Sequence, residues 1–186
     1  MNNQKHYFFA LELPSQAKQA LEQWSTILKR EEIFKNWVYR EDYHITLAFL
    51  GHAQEEMAKQ AAKLIEKRLI KQSSVISQIN GIKTFGKPKS PRILWAGLEE
   101  NPIVKDIQKI VANSCIETGF KLDTKPFVPH ITIARRALKT LEMDQLAKWN
   151  RALPEINSFL IENIVLYRTN IGNIPKYEPL VRLKLQ

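Results

Sequence analysis

The sequence contains one cysteine, Cys115, so no disulfide can form within the chain. That suits a reducing compartment. Cys115 lies in an apolar, helix-periodic stretch and reads as a small buried residue rather than a nucleophile. No apolar run approaches the roughly 20 residues that a bilayer-spanning helix needs. The first residues, Met1-Asn2-Asn3-Gln4-Lys5-His6, hold neither an apolar h-region nor a small-residue cleavage site before an apolar strand begins. A cytoplasmic protein is the expectation. There is no P-loop, no dinucleotide fingerprint and no Gly-x-Ser-x-Gly elbow, and no low-complexity segment. Acidic residues are in deficit, 19 against 28 lysines and arginines, for a formal charge of +9. That surplus suits a phosphate-bearing partner such as RNA, and equally a merely soluble basic protein.

Histidine is scarce as well, with four in 186 residues, and two of the four sit in nearly identical pentapeptides. These are His44-Ile45-Thr46-Leu47-Ala48 and His130-Ile131-Thr132-Ile133-Ala134, with the histidines 86 positions apart. The same offset superimposes Phe9-Ala10 on Trp95-Ala96, Leu21 and Trp24 on Ile107 and Ile110, and Gly86 on Gly172. Several matches at one offset indicate a duplicated unit. The register is imperfect, because Leu11-Glu12-Leu13 meets Leu98-Glu99 only after a one-residue slip. His52 maps onto Leu138 and His6 onto Arg92, so neither is repeated and both read as bystanders.

Each unit carries the same order of elements. A strand (residues 7–13; 93–98) precedes a helix. The first helix opens at Pro14-Ser15 with a stripe of Ala17, Ala20, Leu21, Trp24 and Leu28. The second opens with Asn101 as N-cap and Pro102, and its stripe is Ile103, Ile107, Ile110 and Val111. The His-x-Thr strand follows, then a second helix. In the first copy that helix covers residues 54–71, acidic at its start and basic at its end. In the second it is shorter, opened by Thr140 and carrying Leu141, Leu146 and Trp149. A further strand closes each unit (75–85; 159–167), and residues 177–185 repeat strand one a third time. The length and ordinary composition suit one compact domain or two packed lobes. The expectation is an α+β chain, residues 1–186 forming one bilobal domain whose pseudo-symmetric lobes each carry a sheet and helices.

Alternate strand residues share a face. His44, Thr46 and Ala48 are therefore expected on one face, with Ile45, Leu47 and Phe49 in the core; His130, Thr132 and Ala134 follow suit opposite Ile131 and Ile133. If the lobes face each other, two imidazoles and two hydroxyls converge. A neutral imidazole can then take a proton from water while a protonated one gives a proton to a departing oxygen, each worth roughly 10²–10⁴-fold. Either motif alone would suit a structural histidine at a strand end, with threonine simply favouring the strand. Two at matched places of a repeat point to a joint role. Zinc asks for three or four ligands, and neither motif has a neighbouring His or Cys; Asp42 precedes His44 by two, but Val128 holds that place before His130. No metal and no cofactor is expected.

Tandem His-x-Thr motifs on strands resemble the 2H phosphoesterase superfamily. The likeness to its RNA 2′,3′-cyclic phosphodiesterase branch, also called 2′-5′ RNA ligases, covers nearly the whole chain. It runs through residues 8–14, His44 to Gly51, Leu94-Trp95-Ala96-Gly97, Pro126 to Arg135 and Tyr177-Glu178-Pro179-Leu180. The resemblance implies a bilobal fold with a basic groove, acting without a metal on RNA or an oligonucleotide ending in a 2′,3′-cyclic phosphate and leaving a 2′-phosphate. It also implies reverse ligation of the cyclic end to a 5′-hydroxyl.

By that resemblance His44 is the proton donor and His130 the proton acceptor, Thr46, Thr132 and Arg135 hold the phosphate, and Phe9 flanks the nucleoside or stays in the core. Strand alternation alone puts Arg135 opposite His130, so its role requires a bend there. The acid and base assignment rests on the resemblance, since the repeat makes the two histidines symmetric. Lys83, Lys87, Lys89, Arg92, Lys125 and Arg136 lie around turns where they could guide an RNA backbone. A monomer is expected, because one chain supplies both histidines. Two alternatives stay open: a phosphodiesterase for a small cyclic nucleotide, and a non-catalytic RNA-binding module.

Overall fold

A computed structural model describes residues 5–186. The reading of the chain start as leaderless falls partly on residues 1–4 and so lies outside the described residues. The order is β1 (Lys5–Glu12), α1 (Ser15–Lys29), β2 (Phe34–Trp37), a 3-10 turn (Arg40–Asp42), β3 (His44–Ala53), α2 (Glu55–Arg68), β4 (Val75–Ser77), β5 (Ile79–Lys87), β6 (Ser90–Leu98), α3 (Pro102–Glu117), β7 (His130–Ala137), α4 (Gln145–Ala152), β8 (Phe159–Ile161), β9 (Asn163–Thr169) and β10 (Tyr177–Lys184). Among the described residues no helix is long and apolar enough to cross a membrane.

The helices form where apolar residues recur at helical spacing. In α1 the buried face is Ala17, Leu21, Trp24 and Leu28, and in α2 it is Ala58, Ala61, Ala62 and Ile65. In α3 the Asn101 side chain accepts the Ile103 N–H at 2.9 Å, as an N-cap should. Its buried stripe is Val104, Ile107, Val111 and Cys115, shifted from the expected one, and Ile103 is exposed. Burial pushes the Cys115 thiol up to about 12, which leaves it inert. Helix α4 starts at Gln145 rather than Thr140, and the segment before it is tied to the β5–β6 turn by the Leu141 N–H, which donates to the Lys89 carbonyl at 2.9 Å.

Two expected strands are broken in two. Residues 75–85 divide into β4 and β5, and residues 159–167 into β8 and β9; β4 pairs with β8 in a separate two-stranded ladder. The large sheet runs β10-β9-β1-β3-β7-β6-β5, with β2 on the far end of β7, and its pairings are antiparallel. Its centre is narrow: β3 and β7 meet at one residue pair, Ile45 with Ile131. The sheet therefore has two halves, β10-β9-β1-β3 and β7-β6-β5.

Each closing strand lies in the other half. β5 follows the first repeat but pairs with β6, and β9 follows the second but pairs with β1. The duplicated units thus exchange their last strands, which corrects the expectation that each unit closes its own lobe. Ile45, Ile131 and Ile133 are fully buried in the main core beneath the seam. At roughly 1.5–3 kcal/mol each, they contribute strongly to holding the halves together.

Candidate active site

The alternation of β3 and β7 is interrupted at matched places. Phe9 pairs with Ala48 and Ala10 with Thr46, leaving Leu47 as an extra residue; Leu94 pairs with Ala134 and Trp95 with Thr132, leaving Ile133 extra. A bulge of this kind puts two successive residues on one face. The faces expected from simple alternation are therefore corrected beyond the threonines. Ala48 and Ala134 turn into the core instead of standing beside the histidines, and Phe49, expected in the core, is 56% exposed. In β7 the same shift carries Arg135 round to the face of His130 and Thr132, which is the bend that the role expected of it by resemblance would require.

The Ile45–Ile131 pair sets the site. Antiparallel register around it brings His44 level with Thr132 and His130 level with Thr46, on the face opposite the two isoleucines. Each ring is held alike. Nδ1 of His44 lies 2.7 Å from the Asp42 carbonyl, and Nδ1 of His130 lies 2.8 Å from the Val128 carbonyl. A carbonyl can only accept, so both Nδ1 atoms carry the proton and both Nε2 atoms are left for proton exchange. The Nε2 of His44 is 3.1 Å from the Thr46 hydroxyl. Asp42 is itself buried, and its carboxylate accepts the backbone N–H groups of Lys176 and Tyr177 at 3.0 Å each. The start of β10 is thereby tied to the group that orients His44.

Both imidazoles are held toward the neutral form. Burial pushes His44 down to about 4; the Asp42 carbonyl opposes this, while Arg135, His130 and Lys18 add to it. Burial also lowers His130, with the Val128 carbonyl opposing and Arg135 adding. Arg135 acts on both rings and also on the Tyr177 hydroxyl, which it disposes toward ionisation against the larger effect of burial. One guanidinium thus serves both histidines.

The surroundings differ between halves. His44 packs against Phe8, Tyr177 and Tyr167, with ring centroids at 4.8, 5.1 and 6.0 Å. His130 meets Phe85 edge-on at 5.1 Å and Trp95 at 5.6 Å. Phe85 and Trp95 stack on each other at 4.5 Å, and the Lys83 ammonium lies 5.7 Å from the Trp95 ring. The Trp95 indole N–H is buried without a hydrogen-bond partner among the described residues.

His44, Thr46, His130, Thr132 and Arg135 are brought together; Phe9 is not. It has no exposed surface and belongs to the main core, so it cannot flank a nucleoside, and its neighbour Phe8 is the aromatic that touches His44. Sequence reasoning also missed Tyr177, Phe85 and the carboxylate role of Asp42. Strand alternation running back from core Phe9 was the available signal for Phe8. For Tyr177 the signal was its place in the Tyr177-Glu178-Pro179-Leu180 segment of the resemblance, which otherwise reads only as one more copy of strand one. Among the described residues no three His, Cys, Asp or Glu side chains gather in a way that could hold a metal ion.

The sequence and the fold recur among known proteins. The model of the 2′-5′ RNA ligase superfamily matches residues 13–173. An RNA 2′,3′-cyclic phosphodiesterase of Geobacillus stearothermophilus is 38% identical over 181 residues, which are 97% of this chain and 57% of that protein. One of Bacillus subtilis is 29% identical over 97% of this chain and 96% of its own length. The fold matches E. coli LigT complexed with 3′-AMP with a TM-score of 0.80 at 22% identity, covering 99% of each chain. It matches TT0787 of Thermus thermophilus with a TM-score of 0.80 over 97% of each chain. With most of its length matched by the family model, and with both His-x-Thr strands inside the match, the chain belongs to the 2′-5′ RNA ligase superfamily.

Proposed function

We propose that the protein is a hydrolase that opens a terminal 2′,3′-cyclic phosphate on RNA to a 2′-phosphate. The observation that carries this reading is the pair of imidazoles at the sheet seam, each with Nδ1 locked on a carbonyl and Nε2 turned away from it, under the influence of one guanidinium. The similarity to proteins named RNA 2′,3′-cyclic phosphodiesterase supports the substrate class.

In the proposed step the Nε2 of His130 takes a proton from water as the water oxygen bonds to phosphorus. The bond from phosphorus to the 3′ oxygen breaks, and the Nε2–H of His44 protonates that oxygen. Thr46, Thr132 and Arg135 hold the non-bridging oxygens, whose charge grows in the transition state. The division of labour between the histidines is taken from the family. His44 must be protonated to act as the acid, although burial opposes this in the free protein. The anionic phosphodiester supplies the missing counter-charge, since an opposite charge within a few ångströms favours the ionised form.

A 5′-hydroxyl in place of water would form a 2′-5′ linkage by the same proton transfers, and water at bulk concentration favours hydrolysis. The Trp95 N–H gains a partner if the substrate brings an oxygen to it, which recovers the cost of an unpaired buried donor. One chain supplies every group of the site, so the proposed working form is a monomer, and the proposed compartment is the cytoplasm.

The test is incubation with an oligonucleotide ending in a 2′,3′-cyclic phosphate, in the presence of a chelator. The expected product carries a 2′-phosphate. Binding without product would overturn the enzymatic reading in favour of an RNA-binding module.

A further inference from the structure

Beyond the seam, the site face of β1 and β3 continues outward. A second irregularity, at Leu50 with Gly51 at φ 68°, returns His52 to this face, paired with His6. Phe49 lies between them and the catalytic pair, three residues from Thr46 or about 10 Å at strand spacing. It presents more than half of its surface to solvent, and its other side meets the His6 ring at 5.6 Å.

The His6 and His52 rings lie 3.8 Å apart, at the edge of a basin of about 300 Å³ that Lys5, Thr169, Asn170 and Asn173 also line. Lys176 is close enough to act on His6. The nearby acids Glu55 and Glu178 are matched by cations of their own, Glu55 by Lys59 and Arg168 and Glu178 by Arg168.

An exposed aromatic ring followed by a cluster of cationic and imidazole groups has the make-up of a single-stranded nucleic acid platform, in which rings stack bases and cations follow the backbone. We propose that this stretch is a second nucleotide subsite. In it Phe49 stacks the base of the nucleotide preceding the cyclic phosphate, while His6, His52 and Lys176 receive the connecting phosphate. The proposal rests on the RNA reading of the site and extends it to substrate length: the protein should prefer an oligonucleotide end to a cyclic mononucleotide.

The experiment compares kcat/KM on a nucleoside 2′,3′-cyclic phosphate and on a dinucleotide with the same end. The wild-type protein should favour the dinucleotide. Phe49→Ala should lower kcat/KM on the dinucleotide at least about fivefold, the low end of a base–aromatic stack, and leave the mononucleotide unchanged. Phe49→Trp should restore the preference. Lys176→Ala should reduce the salt slope for the dinucleotide by about 0.7. Equal effects on both substrates, or none on either, overturn the subsite. If the wild-type protein turns over neither substrate, the hydrolase reading fails on its own. Binding of a dinucleotide ending in a 2′-phosphate, wild type against Phe49→Ala, then decides the subsite: weaker binding by the variant sustains it, and equal binding refutes it.

Discussion

Around His44 the sheet supplies Phe8, Tyr167, Tyr177 and the buried Asp42 carboxylate; around His130 it supplies Phe85, Trp95 and Lys83, with Val128 where Asp42 would be. The backbone holds both rings by the same bond to the residue two before. Duplication has thus preserved the orientation of the reactive nitrogen, while the packing around it has diverged. The residues after the matched bulges have diverged too, with Phe49 in one half and Arg135 in the other. An acid and a base can come from one repeated motif because pKa follows the surroundings of a ring rather than its sequence motif.

The largest expected effect tests what the halves share. His44→Ala and His130→Ala should each lower kcat by about 10²–10⁴-fold or more with circular dichroism unchanged. Loss in one variant only would mean that the two rings do not act as a pair. Arg135→Ala should come next, at about 10–10³-fold in kcat/KM, because a guanidinium on the phosphate is removed. The same variant should move both limbs of the pH–rate profile to higher pH, since Arg135 disfavours the charged form of each imidazole. Unmoved limbs would place Arg135 away from the rings.

A third test addresses how the halves differ. Asp42→Ala leaves the N–H groups of Lys176 and Tyr177 without their acceptor, at about 2–4 kcal/mol, and should lower Tm by several degrees. Val128→Ala keeps its carbonyl and should leave Tm nearly unchanged. Equal losses would deny that Asp42 braces its half. The smallest effect concerns pH and stability. His44 has a folded pKa below its unfolded value near 6.5, so its neutral form stabilises the fold above pH 6.5, and that contribution is lost as pH falls toward about 4. His44→Gln should flatten Tm over that window, whereas an unchanged slope would mean that other groups set it.

The repeat, the two His-x-Thr strands and most helices were legible in the sequence, because a shared offset and helical spacing are properties of residue order. The bulges were not: Leu47-Ala48 and Ile133-Ala134 are apolar pairs that suit either alternation or a doubled inward step. That ambiguity hid the true faces of Phe49, Ala48 and Ala134 and left the position of Arg135 unresolved. The exchange of β5 and β9 was equally invisible, since order along the chain does not state which strand pairs with which. Of the two places the resemblance left open for Phe9, the core is the one it occupies, and the sheet partner of Thr46 that answers to Trp95 opposite Thr132 is its neighbour Ala10.

The central claim is that two imidazoles, one neutral and one protonated, carry the reaction between them. The pH dependence of kcat/KM on an oligonucleotide with a 2′,3′-cyclic end tests it most directly. The account predicts a bell with its maximum on the acid side of 6.5, because both rings are lowered in the free protein. It also predicts a kcat bell displaced to higher pH by the bound phosphate. A rate that rises steadily through neutral pH, with no alkaline limb, would contradict it.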